Sequence, residues 1–93
     1  MPSVSRMVEV NGVRLHVEDS GGAGPPVVFS HGLLLSTRLW DAQVESLRGR
    51  YRCIAYDHRG TGASTFPPEK ITSDGLVDDV FRVLDAAGVD RCV

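Results

Sequence analysis

The chain has 93 residues, a formal net charge of −2 and 42% hydrophobic residues, which is the composition of a globular protein. A charge so close to balance gives no electrostatic reason to expect nucleic acid or an anionic membrane as a partner. No stretch has the length of a membrane-spanning helix, and residues 1–7 lack the apolar core of a signal peptide, so we expect a cytoplasmic protein.

The first predicted element is a β-hairpin. Two apolar-rich stretches, 7–10 and 13–17, are separated by Asn11-Gly12, and both turn residues accept the positive φ that a two-residue hairpin turn needs. Apolar and polar residues alternate in the second stretch, so one face of the hairpin is polar and we place the hairpin at an edge of the sheet. His16 falls on that polar face, where we expect a solvated strand residue that is neither a ligand nor a base.

The next predicted element is the short strand Val27-Val28-Phe29, which we expect to be buried on both faces because three apolar residues follow one another. His31-Gly32 ends it. Glycine at a strand end allows a sharp turn and leaves room for a ligand, so the N–H of Leu33 can point into the crevice above the sheet. One N–H aimed at a developing oxyanion is half of an oxyanion hole. On these residues alone, a plain turn with His31 as a buried, hydrogen-bonded residue is the simpler interpretation.

A helix is predicted over 36–48, with Ser36 or its neighbour as the N-terminal cap. Trp40, Val44 and Leu47 lie at positions i, i+4 and i+7, on one face of that helix. We expect this face to pack against the sheet, with Trp40 as a packing residue and not a ligand-binding one.

A second buried strand is predicted over 52–57 and continues into a glycine-rich loop. The Gly-x-Gly at Gly60 and Gly62 lacks the third glycine and the helix of a dinucleotide-binding turn, so we expect no cofactor there. Ser64 lies in a partial Gly-x-Ser-x-Gly pattern whose last glycine is missing, and we therefore reject it as a nucleophile.

The better interpretation of this loop is structural. Asp57 and Arg59 can bond to loop backbone or to each other, while the two glycines supply unusual backbone angles. Such a loop can support the neighbouring turn at Gly32.

The last predicted elements are a helix over 73–87, ended by Gly88, and the beginning of a strand at 91–93. An apolar stripe at helical spacing supports the helix. The stripe comprises Leu76, Val80, Leu84 and Ala87.

The two cysteines, Cys53 and Cys92, each lie in an apolar run, so we expect both to be small buried side chains. The sequence has no Cys-x-x-Cys and no Cys/His cluster at zinc spacing, so no metal site is expected.

The order of elements predicts an α/β fold with a mostly parallel sheet behind an antiparallel hairpin. A parallel sheet is paired along its buried strands, yet the chain stops where the next central strand should form. We therefore expect residues 1–93 to be a single, incomplete domain.

Two motifs, in this order and on these elements, give the sequence a family resemblance. A buried strand ends in His31-Gly32, and the strand after the first helix ends in Asp57-x-Arg59-Gly60-x-Gly62-x-Ser64. With the preceding hairpin, this pattern resembles the N-terminal portion of the α/β-hydrolase superfamily over almost the whole chain.

The resemblance implies a strand order of 1-2-4-3-5 onward, with the two helices on opposite faces of the sheet because crossovers are right-handed. It also implies that the N–H of Leu33 forms part of the oxyanion hole, with Leu34 as the second choice. In the family, the residue after the nucleophile supplies the other N–H. Structural support of this site falls to His31, Gly32, Asp57, Arg59, Gly60, Gly62 and Ser64.

The resemblance further implies that the nucleophile, the acid and the catalytic histidine come later than Val93. None of His16, His31 and His58 is therefore expected to be the family's triad histidine. No cofactor is expected, and the resemblance implies that the partner of the whole protein is a small-molecule substrate.

The first functional hypothesis is that the chain is part of a hydrolase that attacks an ester, amide, epoxide or related bond by nucleophilic catalysis. The 93 residues are then expected to be inactive by themselves. The second is a catalytically silent member of the same fold that binds a ligand or a partner. The third is a short protein that uses an open sheet edge to bind a partner. Neither the substrate nor the oligomeric state follows from the sequence.

Overall fold

A computed structural model describes residues 4–31, 35–66 and 71–93. Four strands form one mixed sheet in the order β1-β2-β4-β3. The strands are β1 (Val4–Val10), β2 (Val13–Asp19), β3 (Pro26–Ser30) and β4 (Arg52–Tyr56). A 3-10 turn at Thr37–Trp40 leads into α1 (Asp41–Leu47), and α2 spans Ser73–Ala87.

The predicted hairpin is confirmed. β1 and β2 pair antiparallel, and Asn11 and Gly12 have φ angles of 45° and 86°, the positive values that such a turn requires. β1 is one of the two edge strands, so the hairpin lies at an edge of the sheet as predicted, and β2 also pairs antiparallel with β4. The strand order agrees with the order that the resemblance implied for the first four strands.

The strand expected to be buried on both faces is only partly buried. β3 pairs in parallel with β4, but of its residues Phe29 alone is buried. The prediction was wrong because β3 is the edge strand on the other side of the described sheet. On its outer side, the Val28 N–H donates to the Val93 carbonyl (2.8 Å) and the Val93 N–H donates to the Pro26 carbonyl (3.1 Å).

Val93 therefore makes two backbone hydrogen bonds to β3, but residues 91–93 do not form the expected strand. Cys92 is exposed, which contradicts the prediction that it is buried, because the segment lies at the border of the sheet and not between strands. Cys53, in contrast, is buried as predicted.

The two helices cover opposite faces of the sheet, as right-handed crossovers require. Alternate residues of β4 point to opposite faces. Ile54 and Tyr56 belong to the core formed with α2, whereas Cys53 and Ala55 belong to the core formed with α1. On the α1 face the predicted packing residues are found, and the ring centroids of Phe29 and Trp40 lie 5.2 Å apart. That face also holds Trp40, Val44 and Leu47.

The bounds predicted for α2 are those observed. Thr72 caps the helix by accepting a hydrogen bond from the Gly75 N–H (3.0 Å), and Gly88 ends it in the left-handed region at φ 71°. The first helix differs from the prediction, because its first turn is 3-10 and only Asp41–Leu47 is α-helical. Ser36 caps that turn, as expected, through the Arg38 N–H.

Candidate functional site

The carboxyl ends of β3 and β4 lie at the same edge of the sheet because the two strands run parallel. His31 follows β3 and is buried, and Asp57 and His58 follow β4. The His58 N–H donates to His31 Nε2 (3.0 Å), and the His31 carbonyl accepts from His58 Nε2 (3.1 Å). Thr61 Oγ1 lies 3.1 Å from His31 Nε2. The glycine-rich loop is thus bonded to the residue that immediately precedes Gly32.

Gly32, Leu33 and Leu34 lie outside the described residues. The assignment of the oxyanion-hole N–H to Leu33 therefore stays a prediction. The described residues show only that the chain on the N-terminal side of this turn is fixed by two backbone-to-imidazole hydrogen bonds.

Asp57 holds the loop together. Its carboxylate is buried and accepts three hydrogen bonds, from the Thr37 N–H (2.7 Å), the Ala63 N–H (3.0 Å) and His16 Nδ1 (2.8 Å). Burial opposes ionisation of this carboxyl, but the hydrogen bonds from Ala63, Thr37 and His16 outweigh it and hold the pKa of Asp57 below its usual range. Asp57 is therefore an anion that joins the loop, the first helical turn and β2.

The glycines of the loop have the unusual backbone angles that the sequence predicts. Gly60 and Gly62 have φ angles of 76° and 50°. A Cβ atom on Gly62 would lie 2.4 Å from the carboxyl carbon of Asp57, closer than side-chain atoms approach one another. Position 62 therefore requires glycine for both its backbone angle and its contact with Asp57.

The hydroxyl of Ser64 is engaged by backbone groups on both sides. It donates to the Asp57 carbonyl (2.6 Å) and accepts from the His16 N–H (2.8 Å). These two bonds fasten the end of the loop to β2, which is a structural arrangement.

Arg59 forms a two-pronged ion pair with Asp79 of α2. Its Nε and Nη2 donate to the two carboxylate oxygens at 2.7 and 2.8 Å, and both side chains are buried. The partners expected for Arg59 were loop backbone and Asp57, and Asp79 was not expected. The sequence did contain an indication of this pair, because position 79 lies next to the apolar stripe of α2. A carboxylate buried at such a position requires a cation beside it.

His16 is not the solvated residue that the sequence predicted. Its side chain is 14% exposed, and both ring nitrogens are bonded, Nδ1 to Asp57 and Nε2 to Ser5 Oγ (2.8 Å). The prediction was wrong because the loop after β4 folds over this face of the hairpin. The Thr65 N–H donates to the Arg14 carbonyl (2.8 Å) beside it. Strand alternation alone gives no sign of this cover.

His58 also belongs to the site, although no sequence pattern predicted a structural role for it. Burial and the neighbouring His31 ring lower the pKa of His58. The two imidazole rings meet edge to face with centroids 4.5 Å apart.

Within the described ranges, no group of three or more histidine, cysteine or acidic side chains is placed to hold a metal ion. No helix in those ranges is long and apolar enough to cross a membrane.

A family model of the α/β hydrolase fold matches residues 25–93. Among curated proteins, a putative carbamate hydrolase of Azorhizobium caulinodans is 44% identical over 71 residues, which cover 74% of this chain and 26% of the relative.

Solved structures give the same result. The epoxide hydrolase VrEH1 of Vigna radiata superposes with a TM-score of 0.89 at 35% identity, over 98% of this chain and 30% of that one. The enol-lactonase of Burkholderia xenovorans LB400 superposes with a TM-score of 0.88 at 32% identity, over 94% of this chain and 35% of that one. The chain thus spans about a quarter to a third of the length of these proteins.

Proposed function

Because the chain belongs to the α/β hydrolase fold family, we propose that it forms part of one larger domain that hydrolyses an ester, amide, epoxide or related bond of a small molecule. The nucleophile, acid and histidine of that domain lie outside these 93 residues. This chain contributes the backbone N–H of Leu33 to the oxyanion hole, together with the loop that supports it.

The observation that carries this proposal is the bonding between the loop and the end of β3. His31 is held by the His58 N–H and the His31 carbonyl by His58 Nε2, at 3.0 and 3.1 Å. Asp57 fixes the rest of the loop through three donors. A donor contributes most to a transition state when it is fixed before the reaction, because no reorganisation is then needed. The loop supplies such fixation one residue before Gly32.

In the proposed mechanism, attack of the nucleophile on a carbonyl carbon places negative charge on the carbonyl oxygen. The Leu33 N–H donates a hydrogen bond to that oxygen. This hydrogen bond is stronger in the transition state than in the ground state, because the oxygen carries more negative charge there. The names of the relatives include a carbamate hydrolase and an enol-lactonase, and both names denote cleavage at an acyl carbon.

The test is a chimera in which this chain replaces the matching part of the Burkholderia enol-lactonase. We expect the chimera to hydrolyse the enol-lactone. Leu33→Pro in the chimera removes one N–H, and we expect kcat to fall by about 100-fold with little change in KM. Leu34→Pro is the matched control, because it introduces the same ring one residue later.

A folded chimera without activity would contradict the proposal that this chain is competent in a hydrolase. A larger loss of kcat with Leu34→Pro than with Leu33→Pro would instead move the donor to position 34. The isolated 93-residue chain is expected to show no sustained turnover of p-nitrophenyl acetate. Turnover that Ser64→Ala abolishes would contradict the structural role given to Ser64.

We also keep the prediction of a cytoplasmic location.

A further inference from the structure

Three side chains on the hairpin side of the loop form a continuous line of hydrogen bonds. Ser5 Oγ lies 2.8 Å from His16 Nε2, and His16 Nδ1 lies 2.8 Å from Asp57 Oδ2. This is the order of groups found where a serine hydroxyl is activated: an alcohol, an imidazole and a carboxylate. We propose that Ser5 is an activated nucleophile that accepts an acyl group from an activated ester, with His16 as its general base.

The carboxylate gives the imidazole a defined tautomer. Asp57 is buried, and the two backbone N–H groups that it also binds keep its position fixed. An anion beside Nδ1 requires the proton of the neutral ring to be on Nδ1. The lone pair is then on Nε2, and this nitrogen accepts the hydrogen bond from the Ser5 hydroxyl. A base that faces a hydroxyl in this way can remove its proton during attack.

The hydroxyl is accessible to a reagent. Ser5 is exposed and lies on β1, an edge strand of the sheet. The side chain of His16, in contrast, is 14% exposed and that of Asp57 is 2% exposed. The Ser5 hydroxyl therefore faces solvent, whereas the His16 and Asp57 side chains that activate it are shielded from solvent. Shielding strengthens the electrostatic coupling between the imidazole and the carboxylate.

The reaction is an acyl transfer. Ser5 Oγ forms a bond to the carbonyl carbon, its proton passes to His16 Nε2, and Asp57 stabilises the imidazolium. The bond to the leaving group breaks, and p-nitrophenolate leaves with the electron pair. The product is acyl-Ser5, and the proton on His16 is released to solvent. This site uses neither Leu33 nor any residue beyond position 93, so it does not depend on the proposed hydrolase function.

The experiment uses the full 93-residue chain with Cys92→Ala as the background, because the exposed thiol of Cys92 would react with the same ester. The protein is incubated with p-nitrophenyl acetate, and acetylated residues are located by peptide fragmentation and mass spectrometry. Ser46, an exposed serine on α1, serves as an internal control in the same molecule.

We expect acetylation of Ser5 to be at least about 100-fold faster than that of Ser46, the usual effect of a positioned general base. His16→Gln should reduce the Ser5 rate to that of Ser46, and Ser5→Ala should abolish the rapid phase of p-nitrophenolate release. Ser46→Ala should leave that phase unchanged.

Equal rates at Ser5 and Ser46 would overturn the proposal, as would a Ser5 rate that His16→Gln leaves unchanged. Acetylation found on His16 itself would also overturn it, because the imidazole would then be the nucleophile. Circular dichroism reports whether the His16 variant folds. If it does not, the ratio of the two serine rates in the unsubstituted hairpin decides the question.

Discussion

At the scale of single residues, the buried and charged carboxylate of Asp57 holds the segments of the candidate site together. One carboxylate binds donors from the first helical turn, from the loop and from β2. Hydrogen bonds to an ionised group are stronger than those between neutral groups. Removing the charge therefore disturbs three segments of the chain at once.

The first prediction concerns Asp57→Asn. The variant should lose about 2 kcal/mol of the free energy of unfolding at pH 7, because a neutral amide binds these donors less strongly. The pKa of Asp57 is lowered on folding, so its contribution is fully present above the unfolded value of about 3.9 and is lost as pH falls through the folded pKa. Urea unfolding at pH 7 and at pH 3 should therefore show the two proteins converging in acid.

Asp19, whose pKa is also lowered, titrates in both proteins and cancels in the difference. If the two proteins differ as much in the free energy of unfolding at pH 3 as at pH 7, the substitution acts through shape and not through charge.

The second prediction concerns Gly62→Ala. A Cβ at this position meets the Asp57 carboxyl carbon at 2.4 Å and also carries the cost of φ 50°. Gly21→Ala is the matched control, because φ there is 70° and nothing lies within 4 Å of its Cβ. Each substitution should lose about 1 kcal/mol from the positive φ, and Gly62→Ala should lose more. Equal midpoints in urea would show that the loop yields to the methyl group at no cost.

At the scale of elements, the buried pair of Arg59 and Asp79 fastens the glycine-rich loop to α2. Elsewhere α2 packs against the sheet through apolar residues such as Val83 and Leu84. Arg6 and Arg52 of the sheet also donate to carbonyls in its last turn. The ion pair links the end of β4 to the middle of the helix, with both carboxylate oxygens bonded. Removing one member of a buried ion pair destabilises a protein strongly, because two charge-assisted hydrogen bonds are lost at a buried site.

The third prediction concerns this pair. Asp79→Ala should lose about 3 kcal/mol or more of the free energy of unfolding, because it removes both hydrogen bonds between the buried Arg59 side chain and the Asp79 carboxylate. The double variant Arg59→Met with Asp79→Leu should be more stable than Asp79→Ala alone. Arg82→Ala, which breaks an exposed pair with Asp78, should change the free energy by about 0.5 kcal/mol or less. A double variant as unstable as the single one would show that the pair is net stabilising.

At the scale of the whole molecule, both faces of the sheet are covered, and β3 lies at one of its two edges. There the backbone of Val93 binds the carbonyl of Pro26 and the N–H of Val28. A sheet edge with apolar residues is a template for pairing with another chain.

The fourth prediction follows from this edge. The chain should associate as its concentration rises, which size-exclusion chromatography with light scattering measures. Val28→Pro replaces the N–H that binds the Val93 carbonyl with a proline ring. Proline on an edge strand hinders pairing with a further strand, so we expect association to weaken. Phe81→Ser is the control, because this side chain is 60% exposed on α2 and lies away from the edge. A stronger effect of Phe81→Ser would place the contact on the helix.

The sequence by itself determined the elements whose geometry depends on neighbouring residues. The hairpin follows from Asn11-Gly12, which accept positive φ. The bounds of α2 follow from helical periodicity between 73 and 87 and from Gly88, which ends it in the left-handed region. Two motifs in the right order were enough for the family resemblance, and that resemblance implied the observed order of the first four strands.

Only the tertiary structure decided the partners of the polar side chains. His16 and Asp57 are separated by 41 positions, and Arg59 and Asp79 by 20. No local preference encodes such pairs, because they form only when the loop after β4 folds over the hairpin and α2 packs against the sheet. The burial of β3 was decided in the same way, since the exposure of a strand depends on its neighbours in the sheet as much as on its own residues.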